Sequence, residues 1–388
     1  MTTVYMVRHA EAEGNLYRRI HGWYDSLITK NGERQIQALQ QRFDSVPIDA
    51  VYSSDLIRTQ LTAGAVYLPK GLPLHLHPGL REIHMGDWED RTWGEVRHFQ
   101  GEQLALFNHT DPSFQAPGGG EGFSPLGDRV YEAIRSIAQK HPDQNVALFS
   151  HGTAIRQFLG KVKGTEPEQW KDLPHFDNTA VTCLAWDGNA FHIVYEGDNS
   201  HQDESISRQS WWRKGGQKAE DVNLWFRPLD PEKEQELYLA ARRDTWITVH
   251  GTELPFDGPG FWEVARRDLE MSPWGVSVAM AGDQFAGMIQ LDLERFRSDG
   301  AGYIPLCYMA PEFRNRGLGV QLLGHAVSIF RKEGRQGLRL RCALNNDHAQ
   351  HFYDKYGFHK IGVEEGKWFP LDVLEKPICR PDIPNVAE

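Results

Sequence analysis

Arg8-His9 follows a short apolar segment at 3–7, Arg58 follows a second at 49–53, and His151 follows a third at 145–150. Glu82 lies between the second and third. If the three segments are neighbouring strands, two imidazoles and two guanidinium groups meet at one sheet edge and form a phosphate pocket. Arginine presents a planar fork that matches phosphate oxygens and keeps its charge. A neutral imidazole nitrogen is a competent nucleophile near neutral pH, because histidine titrates near ~6.5. A covalent phosphohistidine divides hydrolysis into two easier steps. Cationic side chains neutralise the transferring phosphoryl group, so this reading needs no metal. A carboxyl group must still protonate the departing alkoxide, and Glu82 is the candidate. His75 and His77 alternate as strand-borne metal ligands can, but a surface strand edge accounts for the same spacing and is preferred.

A second group of residues could hold a diphosphate. Arg314-x-x-Gly317-x-Gly319 lies between an apolar segment at 303–309 and a helical pattern at 318–330. Glycines at a strand-to-helix junction let backbone N–H groups approach phosphate, and the helix N-terminus adds partial positive charge. Arg314 and Arg316 add full charges. Downstream, Asn346, Ala349, Phe352, Tyr353 and Gly357-Phe358 follow the spacing Asn-x-x-Ala-x-x-Phe-Tyr-x-x-x-Gly-Phe.

Strands and helices must place these groups. In the first part, strand patterns at 3–7, 49–53 and 145–150 alternate with helical patterns at 31–43, 56–67 and 130–139, and a further helix starts at 154. That alternation predicts a mostly parallel sheet covered on both faces, with functional groups at the carboxyl ends of its strands. The pattern lapses between 199 and 223, a polar stretch with Gly215-Gly216 and the pair Trp211-Trp212. It reads as a linker. A second α/β pattern follows, with helices near 234–243 and 261–269, strands near 275–281, 284–293, 303–309 and 338–343, and a helix at 347–356. The expected organisation is a first domain at 1–204, a linker at 205–222, a second domain at 223–376 and an extended tail at 377–388.

The chain's 388 residues suffice for two cores. With 42 Lys and Arg against 53 Asp and Glu, its formal charge is −11, and no basic block is present. General binding to nucleic acid or to a membrane surface is therefore not expected, and small molecules are the expected partners. No run of ~18 apolar residues spans a bilayer, and the first residues lack a secretory pattern. Cys183, Cys307, Cys342 and Cys379 are scattered without CxxC spacing, which suits a reducing, cytoplasmic setting.

Five segments, VRHAEAEGN (7–15), GWYDSLITKNGERQ (22–35), VYSSDLIRTQLTA (51–63), LREIHMGDWED (80–90) and LFSHGTAIR (148–156), together resemble the phosphoglycerate mutase-like branch of the histidine phosphatase superfamily. The resemblance implies a three-layer α/β/α fold, His9 as the phosphorylated nucleophile, Glu82 as proton donor, and Arg8, Asn15, Arg58 and His151 around the phosphoryl group. Two positions depart from the family pattern: Ala10 stands where glycine is usual, and Gly122 in PGGGEGFS (117–124) replaces a serine. The segment RxxGxG, the Asn346–Phe358 spacing and FRPLDPEKEQELYLAA (226–241) resemble the GNAT acetyltransferase family. That resemblance implies a splayed mixed sheet that takes acetyl-coenzyme A as co-substrate. Backbone at Met309 and Ala310 would hold the pantetheine, with Arg314, Arg316, Gly317, Gly319 and Asn346 in the cofactor site and Tyr353 as the acid for the departing thiolate. A phenol near pKa ~10 can serve a thiolate near ~8.5. The acceptor base is not visible: Glu253, Asp257, His250 and a water relay all remain open.

A mutase would surround small, highly anionic phosphoglycerates with extra cations. Between Lys70 and Lys140 the chain has no lysine, and the candidate lid at 83–127 is acidic and rich in aromatic residues: Trp88, Trp93, Phe99, Phe107, Phe114 and Phe123. Hydrolysis of a phosphomonoester with a weakly anionic leaving group is therefore expected, alongside acetylation of a small amine. Two alternatives stay open: a mutase, and a phosphatase governed by a non-catalytic domain that senses acetyl-coenzyme A. A phosphatase-like module that only docks is disfavoured by the intact set of site residues.

Overall fold

A computed structural model describes residues 1–207, 223–252, 255–366 and 370–387. Most of the expected linker, with Trp211-Trp212, and Glu253 lie outside these residues. The first sheet contains β1 (Thr2–Arg8), β2 (Ala50–Ser53), β3 (Leu74–Leu76), β4 (Asn145–Ser150), β5 (Val181–Trp186) and β6 (Phe191–Asp198). Its order is β3-β2-β4-β1-β5-β6. β3, β2, β4 and β1 run parallel, and β5 and β6 continue the sheet antiparallel. Helices α1 (Glu13–Tyr17), α2 (Lys30–Phe43), α3 (Ile57–Lys70), α4 (Trp93–Asn108), α5 (Phe123–Lys140) and α6 (Gly152–Val162) complete this half. β1, β2 and β4 are adjacent, which is what gathers Arg8-His9, the residues after Ser53 and His151 at one edge.

Local sequence explains these elements. In α2, Thr29 accepts a hydrogen bond from the Gly32 N–H at 3.0 Å, and Gln35, Leu39 and Phe43, four residues apart, face inward. β4 reads Asn-Val-Ala-Leu-Phe-Ser and is buried on both faces, as a central parallel strand should be.

The second half builds a seven-stranded mixed sheet. β7 (Trp225–Pro228) is followed by α7 (Gln235–His250), α8 (Gly258–Met271), β8 (Val276–Ala281), β9 (Gln284–Asp292), β10 (Ala301–Met309), α9 (Val320–Lys332), β11 (Gly337–Ala343), α10 (Asp347–Lys355), β12 (His359–Glu364) and β13 (Leu371–Pro377). The order is β12-β13-β11-β10-β9-β8-β7. β10 and β11 are parallel, but they pair only over Ala301–Ile304 and Gly337–Leu340. Beyond this, Leu306–Met309 pair with β9 alone and Arg341–Ala343 with β13 alone. The sheet is therefore splayed at its centre.

The two halves are closely docked through α1 and α9. Tyr17 belongs to the apolar core of the second half, and a Cβ on Gly324 of α9 would lie 2.4 Å from the Tyr17 Cβ. Likewise, a Cβ on Gly94 of α4 would lie 2.4 Å from the Leu224 carbonyl oxygen. Glycine in a helix interior costs about 1 kcal/mol relative to alanine, and close approach of the first half explains it at Gly324; Gly94, in the first turn of α4, is required by the same docking. Charge pairs join the same surfaces: Arg331 to Glu13 at 2.7 Å, and Lys332 to Asp90 at 3.0 Å. Asp90 also takes Arg19 at 2.8 Å and the Ser328 hydroxyl at 2.5 Å. Gly324→Val is expected to lower stability by about 1–3 kcal/mol through overpacking. A urea midpoint matching that of the unaltered chain would contradict this docking.

The tail after β13 runs back to the first half, turning at Pro384-Asn385, where Asn385 has φ +56°, and is fastened there. The Leu74 N–H donates to the Asn385 carbonyl at 2.9 Å, the Ala387 N–H to Leu74 at 2.8 Å, and the Tyr67 hydroxyl to Pro384 at 3.0 Å. It thereby covers β3, an edge strand whose unpaired backbone would otherwise face solvent. His75 on β3 stacks on Tyr52 at 5.0 Å, and His77 accepts the Gly79 N–H at 3.0 Å. Among the described residues, no group of three or more His, Cys, Asp and Glu could hold a metal ion, and no helix is long and apolar enough to cross a membrane.

Candidate functional site

The carboxyl edge of the first sheet is floored by His9, Arg58 and His151, with exposures of 2%, 0% and 0%. The His9 and His151 rings lie 5.3 Å apart, and His21 approaches His9 at 5.6 Å. The Nδ1 atom of His9 lies 2.7 Å from the Ala10 carbonyl oxygen. A carbonyl only accepts, so Nδ1 carries the proton and Nε2 keeps its lone pair. Burial pushes His9 well below the ordinary imidazole value, and Arg58 and then Arg8 push it further. His151 is depressed by the same main causes, burial and Arg58. Its Nε2 meets the Ser54 hydroxyl at 3.0 Å, whereas Nδ1 has no hydrogen-bond partner. Ala10, despite replacing the usual glycine, fits the turn: it is fully buried and its N–H donates to Thr62 at 2.9 Å.

Arg58 does more than its sequence position suggests. Its Nη1 donates to the Tyr24 carbonyl at 3.1 Å, and its Nη2 to His21 and Gly22 at 2.9 and 2.7 Å. It thus shapes the rim at 21–24, and only Nε is without a partner. Burial lowers its pKa to about 10, so it stays cationic at neutral pH. Arg8 donates to the Phe176 carbonyl at 2.5 Å. Next to it, a Cβ at Gly152 would come within 3.2 Å of Arg8 Nε, so glycine leaves room for the guanidinium.

Glu82 also has a structural function that its motif did not disclose. Its carboxylate accepts the backbone N–H groups of Ile83, Thr153 and Ala154 at 3.0, 3.0 and 2.9 Å. Two of these open α6, whose preceding residue His151 offers no side-chain cap. Glu82 is therefore an N-terminal cap supplied from a distant loop.

Beside the buried His9, Arg58 and His151, which are not themselves among its lining residues, opens a cavity of about 390 Å³ lined by Arg8, Asn15, Arg18, His21, Glu82, Met85, Trp93, Phe107 and His175, among others. Asn15 reaches His21 Nε2 at 3.3 Å and accepts the Ala12 N–H at 3.1 Å. Of the six lid aromatics, Trp93 and Phe107 line this cavity. Trp88, Phe114 and Phe123 are core, and Phe99 packs on Trp225 at 5.7 Å in the second half. Gly122 precedes α5 without a side-chain cap.

In the second half, a cavity of about 390 Å³ opens at the splay, lined by Cys307, Met309, Arg314, Asn346 and Ala349, among others. Gly317 has φ +72°, and a Cβ there would meet nothing within 4 Å, so backbone conformation favours glycine. A Cβ on Gly319 would lie 3.3 Å from the Phe352 ring. The strand-end backbone is already bonded: Arg314 Nε donates to the Met309 carbonyl at 2.9 Å, and the Ala310 N–H to Ala286 at 2.9 Å. Arg314 is also paired with Asp244 on α7, and Arg316 stacks over Phe313 at 5.3 Å. Asn346 caps α10, accepting the Ala349 N–H at 3.1 Å.

Tyr353 lies behind this cavity and is not among its lining residues. Its hydroxyl meets the Cys307 thiol, and burial raises its pKa well above the ordinary phenol value. Asp257 accepts the Gly260 N–H at 3.0 Å as a cap of α8, and His250 stacks on Trp246 at 3.8 Å.

These two sites agree with the family models the chain matches. Residues 4–199 match the histidine phosphatase superfamily (branch 1), and 235–358 match the acetyltransferase (GNAT) family. The chain belongs to the histidine phosphatase superfamily and carries a GNAT-family domain in the same polypeptide. Phosphoglycerate mutase-like protein 4 of Arabidopsis thaliana is 31% identical over 210 residues, covering 53% of this chain and 90% of that protein. The metal-independent phosphoserine phosphatase of the same plant is 28% identical over 217 residues, covering 49% and 90%. Among solved structures, Bacillus stearothermophilus YhfR is 34% identical with a TM-score of 0.50, covering 52% of this chain and 99% of that one.

Proposed function

We propose that the first domain, 1–204, hydrolyses a phosphomonoester through His9, and that the second, 223–376, transfers an acetyl group from acetyl-coenzyme A to a small amine. Residues 205–222 connect the two. The carrying observation is the neutral, buried His9 ring with Nε2 available beside His151, Arg58 and Arg8. In the first step Nε2 attacks phosphorus, the ester P–O bond breaks, and Glu82 gives its proton to the leaving oxygen. In the second, Glu82 takes a proton from water as the water oxygen attacks phosphorus, and the P–N bond breaks to release phosphate and His9.

Relatives bear names of both a phosphatase and phosphoglycerate mutases. Hydrolysis is favoured because Ile20, Met85, Trp93, Phe107 and Phe176 give the cavity an apolar side and no lysine lines it, while Arg19, one of three lining arginines with Arg8 and Arg18, is committed to Asp90. Phosphate release and mutase flux measured side by side test this, and mutase turnover in excess of hydrolysis would end the phosphatase reading. Glu82→Gln is expected to slow hydrolysis of alkyl phosphates by about 10²–10⁴-fold and to leave p-nitrophenyl phosphate much less affected. Equal losses on both substrates would assign Glu82 to capping alone.

For the second domain, the splay between β10 and β11 and the open glycine at 317 support an acyl-coenzyme A site. Acetyl-coenzyme A would supply the activated acyl group. Met309, Ala310 and the 314–319 segment would hold it, with release of Met309 by Arg314, and Tyr353 would deliver a proton from the Cys307 side. Tyr353→Phe is expected to lower thiol release at least tenfold, and unchanged turnover would rule out the acid role. A second reading, a sensor that governs the phosphatase, is favoured by the structural employment of Asp257 and His250. Steady coenzyme A production with any amine in a broad panel would remove it.

A further inference from the structure

A third cavity, of about 410 Å³, lies between the two domains, next to both sites described above. One wall is the first domain, contributing Arg18, Lys30 and Arg34, and the other is the second, contributing Arg316, Lys355 and Lys376. Six cations thus face one space in a chain whose formal charge is −11. The carboxylates of the lining are Glu11 and Glu13. Glu13 is neutralised by Arg331 at 2.7 Å, and Glu11 accepts from the Thr29 hydroxyl at 2.8 Å and from Asn31 at 3.2 Å.

Two further observations point to a ligand. Tyr17, 2% exposed, lines this cavity with a hydroxyl that has no hydrogen-bond partner. A buried donor of this kind is costly unless something satisfies it. Gly317, Leu318 and Val320 also line the cavity, so it begins where the glycine turn meets α9. A diphosphate held at that turn would continue into the cationic space.

We propose that this cavity is a composite anion site for the 3′-phosphorylated nucleotide end of an acyl-coenzyme A, with the phosphatase domain supplying Lys30 and Arg34 as direct partners of the 3′-phosphate. This rests on the reading that the second domain binds acyl-coenzyme A. Lys30 reaches across the cleft to Asp354, donating to its backbone carbonyl at 2.6 Å and to its carboxylate at 3.3 Å; this pair is solvent-exposed, so a phosphate competes with that carboxylate for the ammonium group. Arg34 donates to the Ser205 hydroxyl at 2.6 Å, a neutral partner that leaves its charge uncompensated by this bond. Arg18 lines both this cavity and the phosphatase cavity, so a ligand here shares a wall residue with the phosphatase site.

The test is calorimetric titration of the full chain with coenzyme A and with dephospho-coenzyme A, which lacks the 3′-phosphate. The unaltered chain is expected to bind coenzyme A at least tenfold more tightly. The double variant Lys30→Ala, Arg34→Ala should lose at least tenfold in affinity for coenzyme A and less than threefold for the dephospho form, which also reports that the variant is folded. Three results overturn the composite site while leaving the acyl-coenzyme A reading intact: equal binding of the two ligands by the unaltered chain, unchanged coenzyme A affinity in the variant, or equal losses for both ligands. Absence of coenzyme A binding by the unaltered chain overturns both.

Discussion

Replacing His9 by alanine is expected to lower phosphate release at least about a thousandfold, because the variant loses the atom that bonds to phosphorus while the surrounding cations remain. The loss should appear in kcat more than in KM, since Arg8, Arg58 and His151 would still bind the phosphoryl group. The unaltered chain, quenched during turnover of a labelled phosphomonoester, should retain label that survives alkali and is lost in acid, as a phosphoramidate does. The pH profile gives an independent check. His9 is held neutral by burial, Arg58 and Arg8, so activity should not fall as pH drops through the ordinary imidazole range near ~6.5. Retention of more than a tenth of the activity by His9→Ala would remove the nucleophile assignment. An acid limb at the free-imidazole value would instead contradict the electrostatics.

The pocket was legible because its residues stand at strand ends. β1, β2 and β4 are short, apolar and separated by helical patterns, so their adjacency follows from parallel-sheet topology. The second tasks of the same residues were not legible. Nothing near Glu82 in sequence indicates that its carboxylate caps a helix starting at Gly152, and nothing near Arg58 indicates that it gathers the carbonyls of His21, Gly22 and Tyr24. These bonds join residues 34 to 72 positions apart in the chain, where local pattern carries no information. Helix α4 went unread because non-helical backbone at Gln100 interrupts its periodicity. β12 alternates Ile361 and Val363 with Lys360, Gly362 and Glu364, but both apolar side chains are exposed and the run is too short to separate a strand from a loop. The docking of the halves left one trace, Gly324 inside α9, whose cost signals a close neighbour without naming it. The neighbour is the other half of the chain.

The same burial that prepares His9 should make the folded chain acid-sensitive. His9, His151 and His325 are each held well below the ordinary imidazole value, with burial the largest cause. His325 stacks on Phe226 at 4.1 Å and meets the Ser277 hydroxyl at 3.0 Å, within the field of Arg19, Asp90 and Lys332. Above the unfolded value of ~6.5, folded and unfolded rings are both neutral and contribute no pH dependence. As pH falls below it, the unfolded chain takes up protons that the folded chain refuses, so stability falls with pH until the folded values are reached. His175 and His201, brought down to about 4 chiefly by burial, refuse protons over the same range. Each such ring contributes a slope of up to about 1.4 kcal/mol per pH unit, and the five together up to about 7 kcal/mol per unit. Between pH 7.5 and 5.5, above the range in which most carboxylates titrate, the urea midpoint should therefore decline steeply while phosphate release by the still-folded chain persists. His325→Gln removes one of these five groups and should flatten the decline by roughly a fifth. A midpoint that stays level from pH 7.5 to 5.5 would mean that these rings are already protonated in the fold, and with that the neutral nucleophile at position 9 would be lost.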